Sequence, residues 1–303
     1  MPKISYIDKN FSATSLDLIE RCNQVITDYQ RQGFSLTLRQ LYYQMVSRNI
    51  IENTERSYKR LGDLVSNARL AGLVDWHAIE DRGRNLRQNS HWNRPGDIIR
   101  SARASYKLDK WANQPYRPEV WVEKQALEGV VASVCQRLDV PYFACKGYNS
   151  QSEQWGAAMR MRRYLEEGKT PIIFHLGDHD PSGIDMTRDN RERLEMFMGG
   201  VELERLALNM SQIRQYNPPP NPAKETDSRF AAYIELYGDE SWELDALEPQ
   251  VLVDLIEAAI LDIRDESAYA EVSAVENDHL RLLRLTEERW PEVSRYLEDN
   301  YVD

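Results

Sequence analysis

The sequence predicts an α/β protein with an α-rich N-terminal domain, a mainly parallel sheet flanked by helices, and an acidic helical C-terminal extension. Residues 12–71 place apolar side chains at helical spacing. Residues 116–222 alternate short apolar runs with helical patterns of about 12–18 residues, as βαβ units do. Residues 223–303 are mostly helical in pattern and hold 22 Asp and Glu against 7 Lys and Arg. We therefore expect three domains, over 1–115, 116–222 and 223–303.

The N-terminal part predicts three helices. The first begins after Ser12 as its N-cap and ends before Gly33, and Thr37 is placed to cap the second. The third helix covers about 54–71 and ends at Gly72. Compact helices followed by a short extended piece with basic residues favour a winged-helix DNA-binding module, although the same periodicity fits a plain helical bundle.

The central part predicts a parallel sheet. Helical segments separate four apolar runs typical of buried strands: EVWVE, VPYFAC, TPIIFHLGD and VELERLAL. Pro181 suits the first turn of the helix that follows the third run. Prolines near 113–118 and in NPPPNP, 217–222, mark the two domain boundaries. A shorter helix is predicted over about 97–111.

Charge is distributed unevenly along the chain. Residues 1–115 hold 18 basic and 12 acidic side chains, while the whole chain has a net charge of −11. A basic front half suits contact with nucleic-acid phosphates, which the total charge alone would argue against. Eight basic residues face two acidic ones within 82–110. The candidate DNA contacts there are Arg82, Arg84, Arg87 and Arg94, and the alternative is a solvated basic surface.

Three carboxylates follow strands whose carboxyl ends should share one sheet edge. Glu123 ends the first strand, and Asp178 and Asp180 follow the third in the run GDHDPSG. Hard oxygen ligands at such an edge suit Mg²⁺, with Mn²⁺ as the alternative cation. The same run is also ordinary turn chemistry, in which an Asp caps the next helix. His179 is interpreted as a polar turn residue rather than a ligand.

A tyrosine pair lies on the second predicted helix. Arg39 precedes Tyr43 by four residues, so both lie on one helical face. A tyrosine attacks a phosphodiester when a base or a cation assists its hydroxyl. Helical faces rich in Tyr, Leu and Met are usually core, and that alternative stays open for Tyr42 and Tyr43.

These motifs together resemble the A subunit of topoisomerase VI and the related meiotic double-strand-break proteins. The resemblance runs in order over about 35–250. WVEKQAL, CKGYNS and LGDHDPSGIDM resemble pieces of the family's Toprim domain, and WELDALEP is similar to a late segment of it. RQLYYQ resembles the family's tyrosine motif, whose second tyrosine corresponds to Tyr43. Asn149 and Ser150 depart from the family's Pro-Asp at that point.

The resemblance implies a winged-helix domain followed by a Toprim metal-binding domain. It assigns Tyr43 as the nucleophile that joins a DNA 5′ end, with Arg39 assisting. It assigns Glu123, Asp178 and Asp180 to Mg²⁺, with Glu123 as general acid in an alternative role. Lys124 and Lys146 are added to the DNA contacts.

The family resemblance also implies partners. In the family the tyrosine of one protomer meets the Toprim acids of the other, so a homodimer is expected. No ATPase module is recognised in the sequence, so strand passage would require a B-type ATPase subunit.

Two other functions stay open. A Toprim nuclease or nickase would activate water at the same acids and leave Tyr43 structural. A non-catalytic DNA-binding protein would use the acids only as caps. A primase is not favoured, because the sequence has no zinc ribbon.

The sequence is typical of a cytoplasmic protein. It has no run of about 18 apolar residues, so no membrane association is expected. Its first residues lack the apolar core of a signal peptide. The three cysteines, Cys22, Cys135 and Cys145, are too sparse for a disulfide framework.

Overall fold

The computed structural model describes residues 3–79, 89–145 and 150–301 of this α/β protein. The first helices are α1 Ala13–Arg31, α2 Leu38–Ser47, α3 Glu55–Leu70 and α4 Pro95–Ser105. The alternating part consists of β1 Tyr116–Val122, α5 Glu128–Leu138, β2 Tyr142–Ala144, α6 Gln151–Glu166, β3 Thr170–Leu176, α7 Pro181–Met198 and β4 Glu202–Ala207. The remaining elements are α8 Met210–Tyr216, β5 Asn221–Pro222, α9 Phe230–Tyr237, β6 Glu240–Ser241, α10 Pro249–Ile263, α11 Glu266–Glu288 and α12 Trp290–Tyr301. Short 3₁₀ turns cover Gln125–Leu127 and Leu244–Ala246.

Helices α1 and α2 begin directly after the predicted capping residues. The Ser12 side chain accepts from the Ser15 amide, and Thr37 forms a reciprocal capping box with Gln40. Each cap satisfies an amide that the first helical turn leaves without a partner. The predicted first two helix starts are therefore confirmed.

The three N-terminal helices enclose one apolar core. Cys22, Leu41, Met45 and Ala68 are fully buried in it, which explains the helical spacing of the apolar residues. Within residues 3–79, β-structure is limited to isolated bridges such as Leu36 with Ile79. Residues 3–79 thus form a three-helix module, and the winged-helix assignment stays a prediction.

A four-stranded parallel sheet forms the centre of the alternating part. Its strand order is β2-β1-β3-β4, with helices in the connections between strands. Val120 pairs with Tyr142, and Phe174 pairs with Glu204. The predicted mainly parallel sheet is confirmed, and its topology makes β1 and β3 neighbours.

The chain forms two compact units, each built from two separate segments. The first unit joins the described residues before 80 to Pro118–Asp262, and the second joins described residues within 85–117 to the part that begins at Ile263. This division differs from the expected boundaries after 115 and 222. Strand β5 lies in the proline-rich stretch and pairs with β6, so the stretch is held inside the first unit.

Charge complementarity holds the second unit together. Lys110 Nζ lies 2.9 Å from Glu276 Oε1, and Arg103 Nε lies 3.2 Å from Glu287 Oε2. The Asp265 amide donates to Gln114 Oε1 at 2.7 Å. Helix α4 ends at Ser105, earlier than the predicted 111. Acidic residues of α11 therefore neutralise part of the basic segment within 82–110 that was predicted to contact DNA.

All three cysteines are buried, and no disulfide joins them. In the described part of the chain, no helix combines the length and apolar character needed to cross a membrane.

Candidate functional site

The predicted carboxylates follow the neighbouring strands β1 and β3. The Glu123 amide donates to the Leu176 carbonyl at 2.8 Å, which fixes the two strand ends side by side. The Asp178 amide then donates to Glu123 Oε2 at 2.9 Å. A side chain at Gly177 would bring its Cβ within 3.0 Å of that oxygen. The glycine therefore allows Glu123 to reach the loop that carries the two aspartates.

Asp180 has the capping role that the sequence left open. Its Oδ1 accepts from the Gly183 amide at 2.6 Å and from Ser182 Oγ at 3.1 Å, and Pro181 occupies the first helical turn. At Gly183 an added Cβ would lie 2.2 Å from the Asp178 carbonyl oxygen. Only glycine fits that approach, so the acidic turn is sterically fixed onto α7.

Asp178 is the most enclosed of the three acids. Its Oδ1 accepts from the Leu244 amide at 2.7 Å and pairs with Lys124 Nζ at 2.9 Å. Burial raises the pKa of Asp178 well above its usual value, and Glu123 raises it further against the opposing effect of Lys124. Burial likewise raises the pKa of Glu123, with Asp180 adding to the shift. Crowded, partly buried carboxylates of this kind are stabilised by a nearby cation.

The oxygen atoms of the three carboxylates are of the type that a hard cation binds. Glu123 Oε1, Asp178 Oδ2 and Asp180 Oδ2 accept no hydrogen bond from any described residue. Among those residues, however, no set of three His, Cys, Asp or Glu side chains is grouped so that it could hold a metal ion. The carboxylates thus match Mg²⁺ only in the type of their oxygen atoms, and in the described arrangement Lys124 supplies the positive charge beside Asp178.

Lys124 is a mostly buried cation that lies among carboxylates in the described arrangement. Its ammonium pairs with Asp178, with Glu243 and, at 3.0 Å, with Asp245 Oδ1. Its side chain is 15% exposed. Burial alone would lower the pKa of Lys124, but the three carboxylates raise it well above its usual value. The lysine is therefore ionised and holds three acids together.

The segment that carries Glu243 and Asp245 is attached directly to the acidic turn. His179 and Trp242 form an antiparallel bridge, with amide-to-carbonyl distances of 2.8 and 2.9 Å. His179 is 2% exposed, and its Nδ1 lies 2.8 Å from the Tyr233 hydroxyl. Burial lowers the pKa of His179 to about 4, so the ring is neutral at pH 7. The histidine is a packed turn residue, as the sequence indicated.

Helix α2 presents Arg39 and Tyr43 to this same segment. Arg39 Nη2 lies 3.3 Å from Glu243 Oε2, and its Nε lies 3.6 Å from Asp245 Oδ2. Burial opposes ionisation of Arg39, but Asp245 and Glu243 outweigh it and raise the pKa above its usual value. The guanidinium carbon lies 5.9 Å from the centre of the Tyr43 ring. The tyrosine motif and the acidic strand ends thus share one network of charges.

Both tyrosines are core residues in this arrangement. Tyr42 is 5% exposed and Tyr43 is 6% exposed. The Tyr42 hydroxyl donates to Asn53 Oδ1 at 3.0 Å and to the Thr54 carbonyl at 3.1 Å. Burial raises the pKa of Tyr43 to about 12, and Glu243 contributes to the shift. The Tyr43 phenol is therefore protonated at neutral pH and partly shielded.

A buried arginine supports the acidic turn from the other side. Arg205, on β4, donates to the carbonyls of Gly177, Asp178 and Gly183 and to Thr187 Oγ1. Burial lowers its pKa, although Glu123 and Asp178 oppose the shift. Arg205 therefore ties the end of β3 to the first turns of α7 and leaves the turn little freedom.

Sequence reasoning did not assign roles to Arg205, Glu243 or Asp245. Glu243 and Asp245 repeat the acid-x-acid spacing of Asp178 and Asp180, which is the signal that could have identified them. Arg205 had no such signal, because a single arginine in a strand pattern is common.

The predicted DNA-contact residues have mixed outcomes. Arg94 is 76% exposed and lies 3.5 Å from Asp97. Four others fall outside the described residues: Arg82, Arg84, Arg87 and Lys146.

Comparisons with protein-family models, with curated proteins and with solved structures found no match to this chain.

Proposed function

We propose that the protein is a Mg²⁺-dependent DNA-cleaving transesterase similar to the topoisomerase VI A subunit, with a winged-helix and a Toprim domain. One observation supports this above all others. Arg39, four residues before Tyr43, pairs with Glu243, and Glu243 shares Lys124 with Asp178 at the sheet edge. The two motifs needed for tyrosine-based cleavage are therefore connected in space, although they are distant in sequence.

In the proposed reaction the Tyr43 oxygen bonds to a backbone phosphorus. The bond from phosphorus to the 3′ oxygen breaks, so the 5′ end stays on the tyrosine and a 3′ hydroxyl is released. The Tyr43 proton passes to a base, and the 3′ oxygen gains a proton. Arg39 would stabilise the phenolate or the phosphate.

Glu123, Asp178 and Asp180 would hold Mg²⁺, or Mn²⁺ in its place. The cation supplies charge neutralisation on the transferring phosphate when it is bound. Glu123 has a second potential role, since its raised pKa suits a general acid toward the 3′ oxygen.

DNA binding must open the network of charges before cleavage. Tyr43 is buried and the guanidinium of Arg39 pairs with two carboxylates, so the tyrosine does not reach a phosphate in the described arrangement. A DNA phosphate carries the charge needed to compete with Glu243 for Arg39 and Lys124. We therefore include this exchange of anions as a step of the proposal.

The proposed partners are a second copy of the chain, an ATPase subunit and DNA. Once the network within each chain has opened, a homodimer would place Tyr43 of one protomer beside the acids of the other, and a B-type ATPase subunit would add strand passage. Binding of DNA by Arg82, Arg84, Arg87, Arg94 and Lys146 and a cytoplasmic location complete the proposal.

A metal-dependent nuclease or nickase is the second candidate. The burial of Tyr43 and its pKa of about 12 favour this function, because a structural tyrosine needs neither access nor ionisation. In that case water attacks the phosphate at the same acids, and the product carries no protein.

Cleavage of supercoiled plasmid distinguishes the candidates. The protein is incubated with Mg²⁺ or Mn²⁺, and the products are separated with and without protease. A transesterase yields nicked or linear DNA whose 5′ ends carry protein until protease is added. Free 5′ ends without protein would favour the nuclease, and absence of cleavage with intact DNA binding would favour a non-catalytic protein.

A further inference from the structure

A cleft beside Arg39 has the chemistry of a nucleotide site. It has a volume of about 640 Å³ and lies between α2, α3 and the turn after β1. This volume is within the roughly 300–1,000 Å³ of small-ligand sites. The cleft adjoins the charge network without using its acids.

The walls of this Arg39 cleft combine flat rings with two cations. Tyr58 and Trp76 supply the rings, and Arg39 and Arg69 supply the charges. No Asp or Glu is among the described residues that line the cleft. Such a surface complements a ligand with an aromatic part and a negative charge, which is the composition of a nucleotide.

Arg69 retains unused hydrogen-bonding capacity. Its Nη2 donates to the Trp76 carbonyl at 2.6 Å, and its guanidinium carbon lies 4.7 Å from the centre of the Trp76 ring. Its Nε is buried and finds no acceptor among the described residues. A buried donor without an acceptor is unfavourable, so Arg69 is a cation of the cleft wall whose hydrogen bonds are not all satisfied within the described part of the chain.

We propose that the Arg39 cleft binds one unstacked nucleotide of a DNA strand, with its base between Tyr58 and Trp76 and its phosphate at Arg39. The inference rests on the proposed function, because it uses the same DNA and the same arginine. It adds how the strand is positioned. Arg39 both lines the cleft and lies beside Tyr43, so a captured nucleotide holds a phosphate next to that tyrosine.

The test uses 2-aminopurine, whose fluorescence increases when the base leaves the stack. The label is moved one position at a time along an oligonucleotide bound to the Tyr43→Phe protein in EDTA, so the strand stays intact. We expect a several-fold increase at one position in the strand and none at its neighbours. No increase at any position, with the oligonucleotide fully bound, would overturn the inference.

Variants at Ser66 connect the signal with the cleft. Ser66 lines the cleft on the exposed side of α3, so Ser66→Trp fills it. We expect loss of the fluorescence increase and about tenfold weaker binding, which is within the range for one stacked base. Asp63→Trp places the same ring on α3 outside the lining and should keep the increase.

Two substitutions of opposite charge at Ser66 test the cleft even if tryptophan disturbs folding. Ser66→Glu should weaken binding of the labelled strand, and Ser66→Lys should strengthen it, both judged on proteins with unchanged circular dichroism. Equal affinity of the two variants would overturn the inference. A free deoxynucleoside monophosphate and an unlabelled strand are also compared as competitors of the labelled strand. If both compete equally well, the inference is overturned in favour of a small-molecule site.

The outcomes for the cleft and for catalysis are separate. Protein–DNA adducts without a position-specific fluorescence increase would refute the cleft and leave the transesterase intact. An increase that depends on Ser66, without any adduct in the wild type, would support the cleft and refute the transesterase.

Discussion

Arg39 and Glu243 form an ion pair at 3.3 Å although 204 positions separate them in the chain. The pair joins a helix of the N-terminal module to the loop beside the acidic turn. The pair bears on function, because a bound DNA phosphate would attract Arg39 and repel Glu243. Lys124, Asp178 and Asp245 belong to the same network of charges.

Replacement of Lys124 by Met should strongly destabilise the protein. Lys124 compensates Asp178, Glu243 and Asp245, and its loss leaves the buried Asp178 without its cation and the other two acids with Arg39 alone. We expect the free energy of unfolding at pH 7 to fall by roughly 3–5 kcal/mol. Urea denaturation measures it. Lys59→Met is the control, because it removes an exposed lysine paired with Glu55; equal losses in both variants would contradict a special role for Lys124.

Glu243→Gln should strengthen DNA binding several-fold. The change removes an anion that competes with DNA phosphate for Arg39 and Lys124. Glu235→Gln on α9 removes the same charge from an exposed position and is the matched control. Fluorescence anisotropy with a labelled duplex at fixed salt measures the affinities. If both variants gain equally, the effect is only the change in net charge.

Asp180→Ser should separate the capping role from the catalytic role. Serine keeps an N-cap acceptor for α7 but has no carboxylate, so stability should change little while Mg²⁺-dependent cleavage is lost. Asp180→Ala should lose cleavage and also about 1 kcal/mol of stability. Asp265→Ser at the cap of α11 makes the same replacement elsewhere and should cleave normally. Full cleavage by Asp180→Ser would exclude its carboxylate from metal binding.

Tyr43→Phe should abolish covalent protein–DNA adducts while DNA affinity stays near that of the wild type, because one hydroxyl is lost. Tyr42→Phe should keep the adducts but lose about 1 kcal/mol of stability, since its hydroxyl bonds Asn53 and the Thr54 carbonyl. Denaturing gels of protein trapped on labelled DNA measure the adducts. Adducts that persist in Tyr43→Phe would assign the nucleophile to another residue.

His175 should make stability depend on pH. Its side chain is completely buried, and burial lowers its pKa from the ordinary 6.5 to about 3. The unfolded chain therefore binds more protons below pH 6.5, and stability falls as the pH decreases from 6.5 toward 3, by about 1.4 kcal/mol per unit.

The unfolding midpoint in urea at pH 5 and pH 7 tests this dependence. His175→Leu should lose less stability between these values than the wild type. The exposed His77→Asn should behave like the wild type. An unchanged pH dependence in His175→Leu would show that other groups cause it.

Local signals in the sequence predicted the local structure well. Thr37 and Pro181 mark the starts of α2 and α7 because caps and proline act within one helical turn. The parallel sheet and the common edge at which its strands end followed from alternation and from the rules of parallel connection, whereas the direct neighbourhood of β1 and β3 was not predicted. These features depend on few residues, so a pattern is enough to find them.

The sequence did not predict which charged residues pair when they are far apart in the chain. Lys124 meets Glu243 across 119 positions, and no periodicity encodes which of many acids a lysine will meet. The same limit hid the contact of α4 with α11, because the charges of Arg103 and Glu287 suit many partners equally. The predicted boundary at 222 was drawn at prolines, but β5 pairs with β6 across that stretch.

The two-segment construction of the second unit has a consequence for synthesis on the ribosome. Gln114 leaves the ribosome 151 residues before Asp265, its hydrogen-bonding partner. Residues 89–117 must therefore wait, without the acidic partners that α11 supplies, while Pro118–Asp262 of the first unit is translated. A nascent chain in that interval presents a cationic segment that is later neutralised, and a chain cut after residue 262 would keep that state permanently.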